Sequence, residues 1–350
     1  MTFLLYGANG YTGELIAREA VRRGMKPILA GRSKEKIGRL AAELDCPSAV
    51  FDLDDHTALV STLTKAAAVL HCAGPFSATA RSMMQGCLAT HVHYFDITGE
   101  IPVFELAHSV HEKAVRSGIL LCPGIGFDVV PTDCLAIRLK ETLPDATHLA
   151  LGFDSRSGMS KGTAKTSLEA STEGSKIRRD GQIVSVPLGS QQRRIDFGNG
   201  ERLAVGIPWG DVSTAFYSTG IPNIEVFTST TPQGLAQMRR AHLLRGLLRS
   251  RLVQSVAKFG IDRRLQPPTE AQRVSNPTFV WGEARNAAHK TVTARVVTAN
   301  GYALTIASSL AIIGRALVSA PPPGFATPGM LLGADFVSTL PGSSPIRLDA

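Results

Sequence analysis

Short apolar runs alternate with amphipathic stretches throughout residues 1–126. The runs at 2–6, 27–30, 49–52, 68–72, 93–97 and 119–122 have the length and composition of buried strands. Between them, segments near 12–23, 33–44, 56–66, 77–89 and 102–116 space their apolar residues helically, as Leu15, Ile16, Ala20 and Val21 do in the first. Strands alternating with helices in this manner predict an α/β architecture, a doubly wound parallel sheet.

Beyond Pro131 the texture changes to strand-like runs with Gly and Pro turns: HLALGF, QIVSVPL, RRIDFG, RLAVGIP, NIEVFTST and KTVTARVVTA. These predict a second, α+β domain on a mixed or antiparallel sheet, interrupted by helices near 160–174 and 235–258. The expected division is 1–126 and 127–327. An apolar helix at 303–318, a linker of Pro321, Pro322 and Pro323, and a last helix near 328–340 follow, with 328–350 expected to pack back on the first domain.

The first strand runs into GANGYTG, residues 7–13. Gly7 allows a sharp turn, Gly10 lets backbone N–H groups approach a pyrophosphate, and Gly13 lets the following helix pack closely on the sheet. The positive end of the helix then faces the phosphates. Gly7, Asn9, Gly10, Tyr11, Thr12 and Gly13 are therefore the expected pyrophosphate-binding residues of a Rossmann domain. The second strand ends on Arg32, Ser33 and Lys34 and not on a carboxylate. A carboxylate there suits the ribose 2′-hydroxyl of NAD, whereas two cations and a hydroxyl suit the 2′-phosphate of NADP. Asp52, ending the third strand, is a candidate acceptor for the adenine amino group.

Composition changes this picture little. With 44% hydrophobic residues the chain has ample material for cores. Polar residues interrupt the apolar stretches before the roughly 18 residues that a bilayer span requires. The first strand begins at Thr2, leaving no room for a signal peptide, and the five cysteines show no CxxC spacing. Reduced thiols, a cytoplasmic location and no metal site are expected. Charge is more informative. Of the net +8, the stretch 237–264 carries eight Lys or Arg against Asp262 alone, a net +7. The excess of cations thus belongs to one element and not to a general nucleic-acid surface.

Three blocks leave successive strand ends, where ligands of open α/β sheets bind. HCAGPFS (71–77) places Ala73, Gly74, Pro75 and Phe76 beside the nicotinamide ribose. HYFDITGE (93–100) brings Asp96, Thr98 and Glu100, and CPGIGFDVVPTD (122–133) brings Gly124, Gly126, Phe127, Asp128 and Pro131. In either of the last two blocks, Asp96 or Asp133 is also open to a helix-capping role.

In this order and spacing GANGYTG, AGRS, CAGPF, HYFDITGE and GFDVVPTD resemble the saccharopine dehydrogenase/reductase-like family, closest to its trans-acting enoyl reductase branch. SKGTAKTS (160–167) and the ending GYALTIASSLA…GFATPGMLLG are similar to that branch as well, so the resemblance runs nearly end to end. It implies a Rossmann domain, a substrate domain with a mixed sheet, NADP(H), and often a dimer through the second domain. The chemistry it implies is hydride transfer to or from a C=N bond or an enoyl thioester.

Hydride addition to an enoyl thioester develops charge on the thioester oxygen and then requires a proton at the α-carbon. Lys161, near Arg156 and flanked by Ser155, Ser157, Ser160 and Thr163, is the candidate oxyanion donor. Asp128 and Glu100 are the candidate proton carriers. Tyr94 lacks a lysine four residues later, so the Ser–Tyr–Lys arrangement of short-chain reductases is not formed there. Met238, Ala241, Leu244, Leu247, Leu248, Leu252 and Val256 share one face of a helix at 237–259, with arginines on the rest. Such a helix suits an acyl carrier protein or an anionic membrane surface. The leading expectation is an NADPH-dependent reductase of a free or carrier-bound α,β-unsaturated acyl substrate. A C–N oxidoreductase of the saccharopine reductase type and a non-catalytic NADP sensor are the alternatives.

Overall fold

The computed structural model describes residues 2–155, 174–243, 246, 250, 253, 255, 260, 263 and 276–349. They belong to two compact units: Met1–Asp128 with Leu304–Leu331, and Val129–Ala303 with Leu332–Ala350.

The first unit is built on β1 (Phe3–Tyr6), β2 (Ile28–Gly31), β3 (Ser48–Val50), β4 (Ala68–His71), β5 (His93–Asp96) and β6 (Leu120–Cys122). A seventh strand, Gly324–Phe325, pairs with β6 at the edge. The order is Gly324–Phe325, β6, β5, β4, β1, β2, β3, and every neighbouring pair is parallel. Strands β1, β2 and β4 are buried at every position, the signature of a sheet covered on both faces. Helices α1 (Tyr11–Arg22), α2 (Lys34–Leu44), α3 (His56–Leu63) and α4 (Phe76–Thr90) follow β1 to β4 in turn. The stretch expected as one helix at 102–116 is two, α5 (Ile101–Ser109) and α6 (His111–Arg116), separated at Val110.

The segment that rejoins this unit is Leu304–Leu331, earlier in the chain than the 328–350 expected to do so. It includes most of the helix Gly301–Val318, which at 18 residues and a mean hydropathy of 1.5 is long and apolar enough to cross a membrane. That corrects the expectation that polar residues break every such stretch. Half of the helix is buried inside the protein. Its Thr305 hydroxyl accepts the Phe127 N–H at 3.0 Å, and Ser308 donates to the Ile125 carbonyl at 2.7 Å.

The second unit opens with α7 (Val130–Thr142), which begins with a proline in its first turn and Asp133 beside it. No helix was expected over these residues, although Asp133 was open to a helix-capping role; it lies inside α7. Its sheet is mixed: β7 (Ala146–Ser155) pairs parallel with β12 (Asn223–Ser229) and antiparallel with β13 (Thr278–Asn286). Outside these lie β10 (Gln192–Asp196) and β11 (Glu201–Gly206) on one side, and β14 (Thr291–Thr298) and Arg347–Asp349 on the other. The hairpin β8 (Ser175–Arg179) and β9 (Gln182–Val186) joins through β12. Leu135 and Leu139 of α7 pack over Gly282 of β13, where a Cβ would fall 2.8 Å from Leu139. On the opposite face Trp281 clusters with Phe227, Ile195 and Phe197.

Candidate cofactor and active site

Gly7 leaves β1 with φ +84°, a left-handed conformation that favours glycine, and its N–H donates to the Ala30 carbonyl at 2.8 Å. A Cβ on Gly7 would fall 2.8 Å from the Ala73 nitrogen, and one on Gly13 would collide with the Gly7 carbonyl. The turn is therefore wedged between the ends of β2 and β4, with α1 drawn tightly against it. No side chain caps the start of α1 at Gly10. The helix presents its N-terminal amides and positive dipole end to an anion, which is the fit a pyrophosphate requires.

On one side of β1 lies β2, which ends at Gly31. A Cβ at Gly31 would fall 2.7 Å from Asn9 Oδ1, so the missing side chain makes room for Asn9. Arg32 extends from the strand end with 78% of its side chain exposed, and its guanidinium lies 3.7 Å from Asp52. Ser33 caps α2, its hydroxyl accepting the Lys36 N–H at 3.4 Å, and Lys34 begins that helix exposed. Asp52 accepts the Asp54 N–H at 3.2 Å. Arg32 and Lys34 thus supply exposed cations at the adenosine side.

On the other side of β1 lies β4, the nicotinamide side of a sheet whose α1 terminus holds the pyrophosphate. Ala73, Gly74, Pro75 and Phe76 form its exit loop, with Gly74 and Pro75 exposed. Glu100 closes this loop from below: its two carboxylate oxygens accept the N–H groups of Phe76 and Ser77 at 2.8 and 2.7 Å. Glu100 was expected as a proton carrier. With both oxygens committed to the first turn of α4, it is instead that helix's cap.

Asp96 ends β5 and is wholly buried. It accepts the Tyr94 hydroxyl at 2.5 Å and the N–H groups of Thr98 and Gly124 at 3.0 and 2.8 Å. Burial pushes its carboxyl up to about 6, and these hydrogen bonds hold it from rising further. Asp96 thereby ties the exits of β5 and β6 together and is not a helix cap. Asp128 lies over Gly99, where a Cβ would fall 2.7 Å from its Oδ2. Among the described residues its carboxyl takes no hydrogen bond. Burial first, and the charge of neighbouring Glu100 second, push it up to about 7.

The first unit brings together Gly7, Asn9, Gly10, Tyr11, Thr12, Gly13, Arg32, Lys34, Asp52, the 73–76 loop and Asp128 along the carboxyl ends of its strands. Lys161 and its neighbours Arg156, Ser157, Ser160 and Thr163 lie outside the described residues, as do Arg245 and Arg249 of the basic stretch. Residues 237–243 of that stretch belong to the helix Pro232–Leu243. Sequence reasoning missed His71 and Thr79. His71 is buried under the 73–76 loop, its Nε2 2.9 Å from the Thr79 hydroxyl. The only signal was a polar residue ending an otherwise apolar strand.

Residues 3–122 match the family model of the saccharopine dehydrogenase NADP binding domain. Within the first unit, this stretch is therefore similar to the NADP-binding domain of saccharopine dehydrogenase. Its cofactor is NADP, in keeping with the uncapped α1 terminus and the exposed Arg32. Saccharopine dehydrogenase-like oxidoreductases of Rattus norvegicus and Homo sapiens are 29% and 28% identical over 150 and 160 residues, covering 37% and 40% of this chain. The trans-acting enoyl reductase of Mycobacterium tuberculosis is 27% identical over 199 residues, 53% of this chain. The chain spans 35%, 37% and 48% of these three relatives' own lengths. Apo saccharopine dehydrogenase (L-Glu forming) from Saccharomyces cerevisiae shares the fold over 100% of both chains, with a TM-score of 0.68 at 12% identity.

Proposed function

We propose that this protein is an NADP(H)-dependent oxidoreductase that reduces an α,β-unsaturated acyl thioester or a related lipid-like substrate. The cofactor supplies a hydride. The observation that carries the reading is the Asp128 carboxyl, on the nicotinamide side of an NADP-binding sheet and free of hydrogen bonds among the described residues. Raised to about 7, it keeps a substantial protonated fraction at neutrality, as a donor to the substrate α-carbon must. Glu100 contributes in two ways: it fixes the start of α4, and its charge keeps the Asp128 proton in place. Similarity to the trans-acting enoyl reductase, over 53% of the chain, supports the enoyl substrate class.

A second reading, oxidation or reduction of a C–N bond, is favoured by the relatives named saccharopine dehydrogenase-like oxidoreductase. Turnover with a panel of enoyl thioesters, run beside amino acid–aldehyde pairs, decides between the two. NADPH consumption with thioesters alone is the expected result. Consumption only with amino acid–aldehyde pairs selects the second reading, and consumption with neither contradicts both.

A further inference from the structure

His71 is the last residue of β4, and its imidazole is fully buried. It lies among Tyr6, Phe76 and Tyr94, at ring separations of 5.6, 5.4 and 6.4 Å. Its Nε2 faces the Thr79 hydroxyl at 2.9 Å. That hydroxyl lies 2.8 Å from the Ala73 carbonyl and 3.1 Å from the Pro75 carbonyl, the two acceptors that flank Gly74 in the cofactor loop. A hydroxyl has one proton. If it donates to a carbonyl, its oxygen must accept from His71, so Nε2 carries the imidazole proton and Nδ1 is bare.

Nδ1 is buried and has no hydrogen-bond partner among the described residues. A buried, unsatisfied ring nitrogen is destabilising, and an apolar ring of the same shape would avoid that cost. Fold stability alone does not account for a histidine at this position. Its other nitrogen orients Thr79, and Thr79 holds the two loop carbonyls. Burial lowers the imidazole pKa to about 3, so it is neutral at every ordinary pH and the arrangement does not switch.

We propose that His71 and Thr79 are positioning residues for the nicotinamide half of NADP(H), holding the 73–76 loop in a preformed shape by fixing the Ala73 and Pro75 carbonyls from beneath. Glu100 holds the same loop through the Phe76 and Ser77 N–H groups, so carbonyls and amides are secured independently. A preformed loop binds its ligand without first being ordered, and loss of the clamp therefore appears in binding. The proposal rests on NADP as the cofactor and is independent of the substrate.

The test is calorimetric titration of the full chain with NADPH and, separately, with adenosine 2′,5′-bisphosphate, which lacks the nicotinamide half. Thr79→Val removes the hydroxyl at nearly constant shape, Thr79→Ser restores it, and His71→Phe removes the imidazole donor. Thr79→Val and His71→Phe should weaken NADPH about tenfold or more and leave the bisphosphate within about twofold of wild type, while Thr79→Ser binds both normally. Equal weakening of both ligands would mean general damage to the domain and would overturn the proposal, as would unchanged NADPH affinity in Thr79→Val. Wild type that binds neither ligand would overturn the cofactor assignment and the proposal together.

Discussion

At the scale of single residues, the proposed function rests cofactor choice on Arg32 and proton supply on Asp128. Arg32 is exposed at the end of β2 and makes a loose ion pair with Asp52, so it is available to a 2′-phosphate. Arg32→Glu should weaken NADPH by about 2 kcal/mol, roughly thirtyfold, through loss of a charge-assisted contact, and should leave NADH binding nearly unchanged. Equal loss for both cofactors in parallel titrations would remove the 2′-phosphate role. Asp128 makes a pH claim. Its carboxyl is raised to about 7, so an acid donor there is protonated below that value and lost above it. Turnover should fall as pH rises through about 7, and Asp128→Asn should lower it at all pH values; an unchanged profile in the variant would exclude Asp128. The glycines and Arg32 were legible in the sequence because local backbone geometry and charge determine what they do. The role of Glu100 was not, because its partners Phe76 and Ser77 lie 24 and 23 residues away and only the folded sheet brings them to it.

At the scale of elements, the parallel strands and their helices were readable because burial on both faces leaves unbroken apolar runs. Among the elements that escaped, three did so for distinct reasons. The strand Gly324–Phe325 is two residues long and carries no periodicity. Strand β13 does alternate, with Phe279, Trp281, Glu283 and Arg285 on one face, but the charges on its open face obscured it. Helix α7 announces itself only through Pro131 at its start. One element has a testable dependence on pH. The His93 ring on β5 accepts the Leu120 N–H of β6 at 3.0 Å through Nδ1, so it must be neutral there, and burial lowers its pKa. Stability from a depressed histidine is fully present above its unfolded value, about 6.5, and is lost as pH falls through the folded value. Asp96 and Asp128, with raised values, slope the opposite way. The informative quantity is the stability difference between wild type and His93→Gln, measured by urea denaturation. It should be constant above about pH 6.5 and shift against wild type below it; a difference independent of pH would contradict the assigned hydrogen bond.

At the scale of the whole molecule, the first unit is not contiguous: Leu304–Leu331 completes it after the chain has built the second. Contacts at such sequence distance leave no local trace, and the return expected of 328–350 is accordingly found earlier, at Leu304–Leu331. Ser308→Ala removes one of the hydrogen bonds securing the return, to Ile125, and should cost about 1 kcal/mol of stability in the same denaturation assay. Thr305→Val, which deprives the half-buried Phe127 N–H of this acceptor, should cost about 1–3 kcal/mol. The central claim is that this sheet holds NADPH for hydride delivery to an unsaturated acyl thioester. The measurement that tests it most directly is mass spectrometry of the product formed from NADPH deuterated at one face of the nicotinamide C4. The account predicts deuterium at the β-carbon of the reduced thioester from one face only. An unlabelled product from both C4 epimers, or a label found only in a secondary amine, would contradict it.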